Sequence, residues 1–369
     1  MTEAPRPNPG IEAITPYVGG KSADAPDGRP VYKLSSNESA CGPSPAALKA
    51  YAQAGADLSL YPDGAAMQLR QAIADRYGLA VERIVCGAGS DEILSLLGHA
   101  YLKPGDEALF SAHGFLMYRL ITMACGATPV AVPETDLRCD VDAMLGAVTM
   151  RTRVVFVANP NNPTGTYLPI DEVRRLRAGL APGVLLVIDA AYAEYVSAND
   201  YEPGIELVGE NDNTVMTRTF SKIHGLAGLR VGWAFCPEAI AQVLNRVRGP
   251  FNVTAPALAA ATASIGDLAH VELARAHNDT WRPWLEAELA KLGLSCTPSV
   301  GNFVLVHFAD APGHTATDAE NYLAAHGIYV RGLAAYGLAQ ALRITVGSEA
   351  AMRAVVSTLK AFVEGKAGA

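Results

Sequence analysis

Residues 217–230 read T-R-T-F-S-K-I-H-G-L-A-G-L-R and lie between two apolar, strand-like runs. A lysine in that position is partly desolvated, which lowers its pKa and makes its amine a usable nucleophile. Thr219, Ser221 and Arg230 carry groups that bind phosphate. Lys222 beside such groups would suit an aldehyde cofactor that bears a phosphate and is held as a Schiff base. The alternative, a solvated lysine in a glycine-rich loop, stays open.

The composition is typical of a globular protein with two domains. Half of the 369 residues are hydrophobic and 18% are charged, which excludes a disordered chain. A net charge of −8 argues against nucleic acid as a partner. The six cysteines form no C-x-x-C pair, so we expect no metal site. No apolar run approaches the ~20 residues that cross a membrane, and the proline-rich start does not resemble a signal peptide, so we expect a cytoplasmic protein.

Strand-like and helix-like patterns alternate through most of the chain. This alternation predicts an α/β fold whose large domain has a mostly parallel, seven-stranded sheet covered by helices. The predicted strands are residues 83–86, 107–111, 128–132, 153–158, 184–190, 214–219 and 229–235. A smaller α+β unit follows, with predicted strands at residues 302–308, 328–331 and 342–346. We predict an N-terminal arm with part of the small domain at 1–45, a large cofactor-binding domain at 46–270 and a small C-terminal domain at 271–369.

Two polar segments follow predicted strands, where open α/β sheets place their sites. The loop at residues 87–92 opens a helix, so its backbone N–H groups and the Ser90 hydroxyl could bind a phosphate. Asp189 ends a buried strand and could pair with a protonated pyridine nitrogen, while Tyr192 could donate to a ring oxygen. A plain glycine turn with a helix cap, and an aspartate that merely ends its strand, are the alternatives.

Further candidates lie in a loop and in two later strands. The loop at residues 159–165, N-P-N-N-P-T-G, offers amides for a phenolate or a substrate anion, although turn chemistry alone would explain it. Arg331 and Arg343 stand in apolar strands, where an arginine needs either an anionic ligand or a structural carboxylate. Phe115 could stack on a flat cofactor ring, with His113 as its rival and a place in the core as the alternative.

The three motifs N-P-N-N-P-T-G, D-A-A-Y and T-F-S-K…G-L-A-G-L-R occur in the order and spacing of the fold-type I pyridoxal-phosphate aminotransferases. Nearly the whole chain resembles the histidinol-phosphate aminotransferase branch of that family. Six further segments carry the likeness: L-S-S-N-E-S, L-Y-P-D-G, G-A-G-S-D-E, R-G-P-F-N-V, S-V-G-N-F-V-L and A-L-R-I-T-V-G.

The resemblance implies roles for the residues of a pyridoxal 5'-phosphate (PLP) site. Lys222 would carry the cofactor and move the substrate proton, Asp189 would hold the ring nitrogen, and Tyr192 with Asn162 would bind the ring hydroxyl. The other implied cofactor contacts are Gly89, Ser90, Asp91, Phe115, Thr219, Ser221 and Arg230. Phe115 stands where the family often has tyrosine, and His224 where an aromatic residue is frequent.

The resemblance also implies a homodimer and a substrate site. Tyr61 would reach the cofactor phosphate of the neighbouring subunit. Arg331 and Arg343 would receive the substrate's phosphate or carboxylate. The residues implied close to the substrate are Tyr17, Asn37 and Asn162.

The reaction expected from the resemblance is reversible amino transfer between L-histidinol phosphate and 2-oxoglutarate, in L-histidine biosynthesis. An aromatic amino-acid aminotransferase on the same scaffold, or an enzyme with both activities, is the nearest alternative. A related decarboxylase or a cofactor-binding regulator is a more distant one.

Overall fold

The computed structural model describes residues 5–20 and 30–365, so the predicted arm and small domain lie partly outside the described residues. The strands found there are β1 Tyr32–Lys33, β2 Ile84–Gly87, β3 Glu107–Ser111, β4 Thr128–Val132, β5 Glu134–Thr135, β6 Arg138–Cys139, β7 Thr152–Ala158, β8 Leu185–Asp189, β9 Thr214–Thr219, β10 Gly232–Phe235, β11 Cys296–Thr297, β12 Phe303–His307, β13 Ile328–Tyr329, β14 Arg331–Gly332 and β15 Ala341–Thr345. The helices are α1 Pro45–Ala54, α2 Met67–Tyr77, α3 Ser90–Tyr101, α4 Leu116–Ala124, α5 Val141–Gly146, α6 Ile170–Gly179, α7 Ile205–Glu210, α8 Glu238–Val247, α9 Ala255–Gly266, α10 Leu268–Lys291, α11 Ala316–Ala325 and α12 Glu349–Val363.

Seven strands form the central sheet in the order β2-β10-β9-β8-β7-β3-β4. Only β10 runs antiparallel to its neighbours β2 and β9, and the other neighbouring pairs are parallel. All five residues of β8 are buried, which fits its place in the middle of the sheet. The predicted fold class is confirmed.

Side chains of β8 alternate between two hydrophobic layers. Leu185 and Val187 pack with apolar residues of α3, α4 and α8 on one face. Leu186 and Ile188 pack with residues of α5 and α6 on the other. Because both faces are covered, the strand is apolar throughout, and each buried aliphatic side chain stabilises the fold by about 1.5–3 kcal/mol.

The predicted strand at residues 229–235 begins later than expected. Ala227–Leu229 forms a 3-10 turn, and Arg230 adopts a left-handed backbone with φ of 52°. The chain reverses here so that Gly232 can pair antiparallel with Thr219, and the apolar run alone could not reveal this reversal. Helix α8 was also missed, although its buried Ile240, Ala241 and Leu244 follow helical spacing.

A second sheet, in the order β11-β12-β15-β14, is antiparallel and packs with helices α10 to α12. The predicted strand at residues 328–331 is divided between two sheets, because β13 pairs in parallel with β1 while β14 pairs with β15. Segment 32–33 thus joins the part of the chain assigned to the small domain. Helix α10 continues through Pro283 and contains the proposed boundary at residue 270, so the domain division stays a proposal.

Neither a membrane-spanning helix nor a metal-binding group is found in the described ranges. No helix there is long and apolar enough to cross a membrane. No group of His, Cys, Asp and Glu side chains in residues 5–20 and 30–365 is arranged to hold a metal ion. All six cysteines lie in these ranges and none forms a disulfide.

Candidate active site

A cleft opens at the carboxyl ends of β7, β8 and β9, beside the amino terminus of α3. Ten residues proposed from the sequence line it: Ser90, Asp91, Phe115, Asn162, Asp189, Tyr192, Thr219, Ser221, Lys222 and Arg230. Asn37 and Arg343 each donate a hydrogen bond to one of these residues. The structure therefore brings together side chains from five separate strand ends, those of β2, β3, β7, β8 and β9, with residues from two distant parts of the chain.

Lys222 follows β9 and projects its amine into the cleft. Its Nζ donates a hydrogen bond to the backbone carbonyl oxygen of Ser36 at 3.0 Å and lies 5.6 Å from the ring centroid of Tyr192. Burial lowers the pKa of Lys222 to about 8, and the charge of Arg343 acts in the same direction. A sizeable fraction of this amine is therefore neutral, and nucleophilic, near physiological pH.

Asp189 ends β8, and its carboxylate accepts two side-chain hydrogen bonds. The Tyr118 hydroxyl donates to Oδ2 at 2.8 Å, and the Thr217 hydroxyl donates to Oδ1 at 3.2 Å. Burial raises the pKa of Asp189 to about 6, an effect that the two donors oppose and the charge of Asp91 reinforces. A cation placed against this carboxylate would lower its pKa again, so the site suits a protonated ring nitrogen.

Tyr192 lies three residues beyond Asp189 and is fixed by packing and by hydrogen bonding. Its ring packs edge-on against Phe303, with centroids 5.3 Å apart. Its hydroxyl accepts a hydrogen bond from Asn37 Nδ2 at 2.9 Å, and burial raises its pKa. Asn37 itself is buried with a left-handed backbone, φ of 56°, and its backbone N–H donates to Thr345 Oγ1 at 2.9 Å. The Tyr192 hydroxyl is thus held at the cleft as a donor.

The groups predicted to bind phosphate also line this cleft. Helix α3 begins at Ser90, after Gly89 with φ of 84°. The Arg230 guanidinium donates to Ser221 Oγ at 2.9 Å and to Asp91 Oδ2 at 3.0 Å. A Cβ atom at Gly89 would force the Arg230 guanidinium to move, and the left-handed φ of 84° also favours glycine at this position. Free N–H groups of a helix start beside a guanidinium make an anion site.

Two residues that we did not single out brace this anion site. The Glu92 carboxylate accepts from the Ala88 backbone N–H at 2.6 Å and from Asn252 Nδ2 at 2.7 Å. Asn252 also donates to the carbonyl oxygen of Cys86 at 3.2 Å. The segments G-A-G-S-D-E and R-G-P-F-N-V both contribute, but their separation of 160 positions hides the contact in the sequence.

Arg343 lies in β15 and is 5% exposed. It donates to Asn162 Oδ1 and, at 2.7 Å, to the carbonyl oxygen of Ser35. Both of these partners are neutral, no carboxylate in the described ranges pairs with Arg343, and its Nε has no hydrogen-bond partner there. A buried guanidinium with neutral partners and an unused donor is suited to an anionic ligand, so a structural carboxylate does not account for this residue.

Arg331 and Tyr17 lie in a neighbouring cleft. Their side chains meet with the Arg331 guanidinium carbon 5.5 Å from the Tyr17 ring centroid. Leu116 and Arg119 also line this second cleft. Neither Arg331 nor Tyr17 lines the cleft that contains Lys222.

The structure distinguishes Phe115 from His113, the two candidates for stacking on a cofactor ring. Phe115 lines the Lys222 cleft. The His113 ring instead bonds through Nδ1 to Glu134 Oε2 at 2.8 Å and does not line that cleft. Phe115 therefore keeps the proposed stacking role, without the hydroxyl that a tyrosine would add there.

The sequence profile of the family described as aminotransferase class I and II matches residues 29–359. The chain belongs to this family. The histidinol-phosphate aminotransferase of Rhodopseudomonas palustris (strain BisB18) is 58% identical over 359 residues, which cover 97% of this chain and 98% of the relative. That of Paramagnetospirillum magneticum is 58% identical over 360 residues, which cover 98% of this chain and 99% of the relative.

The fold of this aminotransferase is similar to that of a solved structure. The histidinol-phosphate aminotransferase of Sinorhizobium meliloti, crystallised with pyridoxal-5'-phosphate, superposes with a TM-score of 0.89 at 30% identity. The match covers 99% of this chain and 100% of that chain. The resemblance seen in the sequence is confirmed.

In this aminotransferase Tyr61 lies outside its own chain's cleft. Its side chain is 83% exposed, and its ring stacks on Phe251 with centroids 4.6 Å apart. The motif that contains Asn252 therefore links the anion site to this exposed aromatic pair.

A buried ion pair lies behind the site of this aminotransferase and was also missed. Arg218 in β9 pairs with Glu194 at 2.8 Å, and both side chains are less than a tenth exposed. His224 bonds through Nδ1 to Ser264 Oγ at 2.9 Å, and burial lowers its pKa to about 4, so it is neutral. Glu194 and His224 follow the cleft residues Tyr192 and Lys222 by two positions each, and His224 Nε2 lies 3.9 Å from Glu194 Oε1.

Proposed function

We propose that this chain catalyses reversible amino transfer between L-histidinol phosphate and 2-oxoglutarate, with PLP as its cofactor, in L-histidine biosynthesis. Curated relatives that carry the name histidinol-phosphate aminotransferase are 58% identical to it over nearly their whole length. One observation carries the chemistry: the Lys222 amine, the Asp189 carboxylate and the Arg230 guanidinium line a single cleft. A nucleophilic amine, an acid for a ring nitrogen and a phosphate site are the three groups that PLP requires.

The residues of the cleft fit PLP. Ser90, Ser221 and Arg230 would hold its phosphate at the start of α3, in a cradle that a Cβ atom at Gly89 would fill. Thr219 lies beside them, and its Oγ1 accepts the backbone N–H of Ser221 at 3.0 Å. When bound, PLP supplies a cationic ring that withdraws electrons from the substrate carbon next to the transferred nitrogen.

Three further side chains would orient the ring. Asp189 would keep a negative charge against the ring nitrogen, and Tyr192 with Asn162 would bond the ring hydroxyl. Phe115 would lie on the ring face. The Arg343 contact to Asn162 would connect this end of the ring to the substrate anion.

Lys222 would perform the proton transfer. Because its pKa is lowered to about 8, the amine can give up its proton and attack an aldehyde carbon at neutral pH. Once the substrate amine displaces it, Nζ can take a proton from the substrate carbon and would return it to the carbon on the other side of the transferred nitrogen. The carbonyl oxygen of Ser36, 3.0 Å from Nζ, would hold the amine on the reacting face.

Arg343 and Arg331 would bind the two different substrate anions. In a ping-pong reaction both substrates use one site, so the same guanidinium groups receive a phosphate from one and a carboxylate from the other. The buried Nε of Arg343 has no hydrogen-bond partner among the described residues, so this guanidinium has an unused donor. Tyr17 and Asn37, which contact Arg331 and Tyr192, would lie against the substrate.

The proposed assembly is a homodimer in which Tyr61 reaches the neighbouring subunit's cofactor phosphate. A folded chain seldom exposes a large apolar patch unless it meets a partner. Exposed large side chains are frequent around Tyr61 in the sequence, namely Leu48, Tyr51, Leu58, Leu60 and Met67, and the Tyr61 ring stacks on the exposed Phe251. We propose a cytoplasmic location because the six cysteines are all free thiols, as in reducing compartments.

An amino-donor comparison with the purified holoenzyme tests this function. We expect kcat/KM for L-histidinol phosphate to exceed the values for phenylalanine and tyrosine by at least about 100-fold, because its phosphate carries more negative charge for Arg331 and Arg343 than the single carboxylate of those donors. The measurement follows the cofactor's absorbance during single half-reactions. Comparable values for all three donors would favour an aromatic amino-acid aminotransferase, and release of CO₂ would favour a decarboxylase.

A further inference from the structure

We propose that Tyr118 is a positioning residue whose hydroxyl keeps the Asp189 carboxylate ionised and aimed at the ring nitrogen of the cofactor. This inference rests on the proposed function, because it assigns a partner to the acid of that same site. Tyr118 does not line the cleft, so it would act entirely through Asp189.

The hydrogen bond between the two residues is short and fully enclosed. Tyr118 Oη donates to Asp189 Oδ2 at 2.8 Å across 71 positions of sequence, and the tyrosine is 0% exposed. Inside a protein a hydrogen bond to an ionised acceptor is stronger than in water, because no solvent competes for either partner.

The ring of Tyr118 has little freedom to point elsewhere. It stacks on Phe156 with centroids 4.9 Å apart and planes within 1° of parallel. Phe115, which lines the cleft, packs edge-on against it at 5.8 Å. Helix α4 carries the tyrosine and β7 carries Phe156, so two large-domain elements fix the hydroxyl against the end of β8.

The donors around Asp189 decide whether it remains charged. Burial and the charge of Asp91 favour the neutral acid, whereas Tyr118, Thr217 and the backbone N–H of Ala191 favour the carboxylate. Burial and the Asp189 charge hold the pKa of Tyr118 well above its usual value, so it stays a donor. The Thr217 contact is longer, at 3.2 Å, which leaves Tyr118 as the principal side-chain donor.

The two donors leave room for the ring nitrogen. A carboxylate offers about four acceptor positions, and Tyr118 and Thr217 occupy one on each oxygen. A remaining lone pair can accept a ring N–H from the cleft side. Loss of the Tyr118 hydroxyl would allow Asp189 to rotate or to take up a proton, and in either case the bond to the ring nitrogen weakens.

The variant Tyr118→Phe tests this role, because it removes one oxygen and keeps the ring that packs on Phe156 and Phe115. Apoprotein is titrated with two probes: PLP, and the analogue in which a carbon replaces the ring nitrogen. We expect Tyr118→Phe to bind PLP about 10- to 100-fold more weakly than wild type, as for a hydrogen bond to a charged group. It should bind the analogue as tightly as wild type does, since that probe cannot use Asp189.

A matched control is Tyr201→Phe, which removes a tyrosine hydroxyl that donates to the carbonyl oxygen of Asn159 at 2.9 Å. This variant should bind both probes as wild type does. Thr217→Val removes the other side-chain donor to Asp189. It should also weaken the binding of PLP but not of the analogue, by a smaller factor than Tyr118→Phe.

The outcomes separate the role of Tyr118 from the proposed function. Equal weakening of both probes in Tyr118→Phe would mean that Tyr118 only packs the core, and unchanged binding of both would mean that Asp189 does not need it. Either result overturns the role of Tyr118 and leaves the proposed function intact. Failure of wild-type apoprotein to bind PLP would overturn both.

Discussion

The amine of Lys222 lies 3.0 Å from the backbone carbonyl oxygen of Ser36, 186 positions earlier in the chain. A carbonyl oxygen accepts a hydrogen bond from an amine in either protonation state, so this contact orients Nζ without fixing its charge. The charge is set instead by burial and by Arg343. Position and reactivity of the amine thus have separate structural causes.

Replacement of Lys222 by alanine should abolish amino transfer, because both the attacking amine and the group that moves the proton disappear. We expect kcat to fall by more than about 10⁴-fold. Stopped-flow assays of each half-reaction measure this loss, and the absorbance of the lysine-bound cofactor should vanish with it. Lys33→Ala, at an exposed lysine paired with Glu38, is the control and should retain activity. Transfer at a substantial rate in Lys222→Ala would refute the role.

The stability of the apoprotein should depend on pH through Lys222. Its pKa is about 8 in the folded chain against 10.5 for the free side chain, so the unfolded chain binds more protons between these values. The unfolding free energy therefore rises with pH across that window, because the free-energy cost of burying this amine is full below pH 8 and is lost by pH 10.5. The difference in unfolding free energy between wild type and Lys222→Met, measured by urea titration, should change by up to about 3 kcal/mol between pH 8 and 10.5. Parallel curves would show that the amine is not desolvated.

Replacement of Arg343 by lysine should weaken binding of both substrates. Lysine keeps the charge but loses the planar guanidinium, which is held in place by its hydrogen bonds to Asn162 and Ser35 and can bind an anion through several N–H groups. We expect KM to rise about 10- to 100-fold for L-histidinol phosphate and for 2-oxoglutarate, with a smaller change in kcat. Steady-state kinetics of both half-reactions provide the values. Arg353→Lys, at an exposed site, should leave them unchanged, and a KM effect on one substrate alone would contradict a shared site.

Removal of one partner of the buried pair Glu194–Arg218 should destabilise the protein strongly. Both side chains are less than a tenth exposed, so Arg218→Met leaves an unpaired buried carboxylate that costs about 3–5 kcal/mol. The melting temperature should fall by roughly 5 °C. The double variant Glu194→Leu with Arg218→Met should recover much of this loss, since no buried charge remains. A melting temperature unchanged in Arg218→Met would show that the pair is not isolated from water.

Mixed oligomers should reveal whether Tyr61 acts in the neighbouring subunit. Tyr61→Phe should weaken cofactor binding about 10-fold by loss of one hydrogen bond to a phosphate. When Tyr61→Phe chains are mixed with Lys222→Ala chains, one site of each mixed dimer has both wild-type residues if Tyr61 acts in trans. We then expect cofactor-limited activity to exceed that of either variant alone. No such gain would place Tyr61 in its own site or outside both.

Local sequence patterns predicted most of the fold, and the features that they did not predict depend on contacts between residues far apart in the sequence. Strand β8 was predictable because a short, continuous apolar run is typical of a strand buried on both faces. Asp189 and Lys222 were predictable because Asp189 ends one strand of the central sheet and Lys222 follows another. The choice between Phe115 and His113 was not, since Glu134, which bonds His113, lies 21 positions away. Tyr118 gave no signal because a buried aromatic residue looks the same whether or not its hydroxyl serves a carboxylate.

The segment of residues 35–37 contacts three functional side chains in turn. Ser35 accepts from Arg343, Ser36 accepts from Lys222, and Asn37 donates to Tyr192. With the roles proposed above, substrate binding by Arg343 and cofactor chemistry at Lys222 and Tyr192 therefore depend on three consecutive residues. Efforts to evolve a new substrate range through this segment would disturb catalysis at the same time, whereas Arg331 and Tyr17 line a separate cleft, where changes offer an independent route.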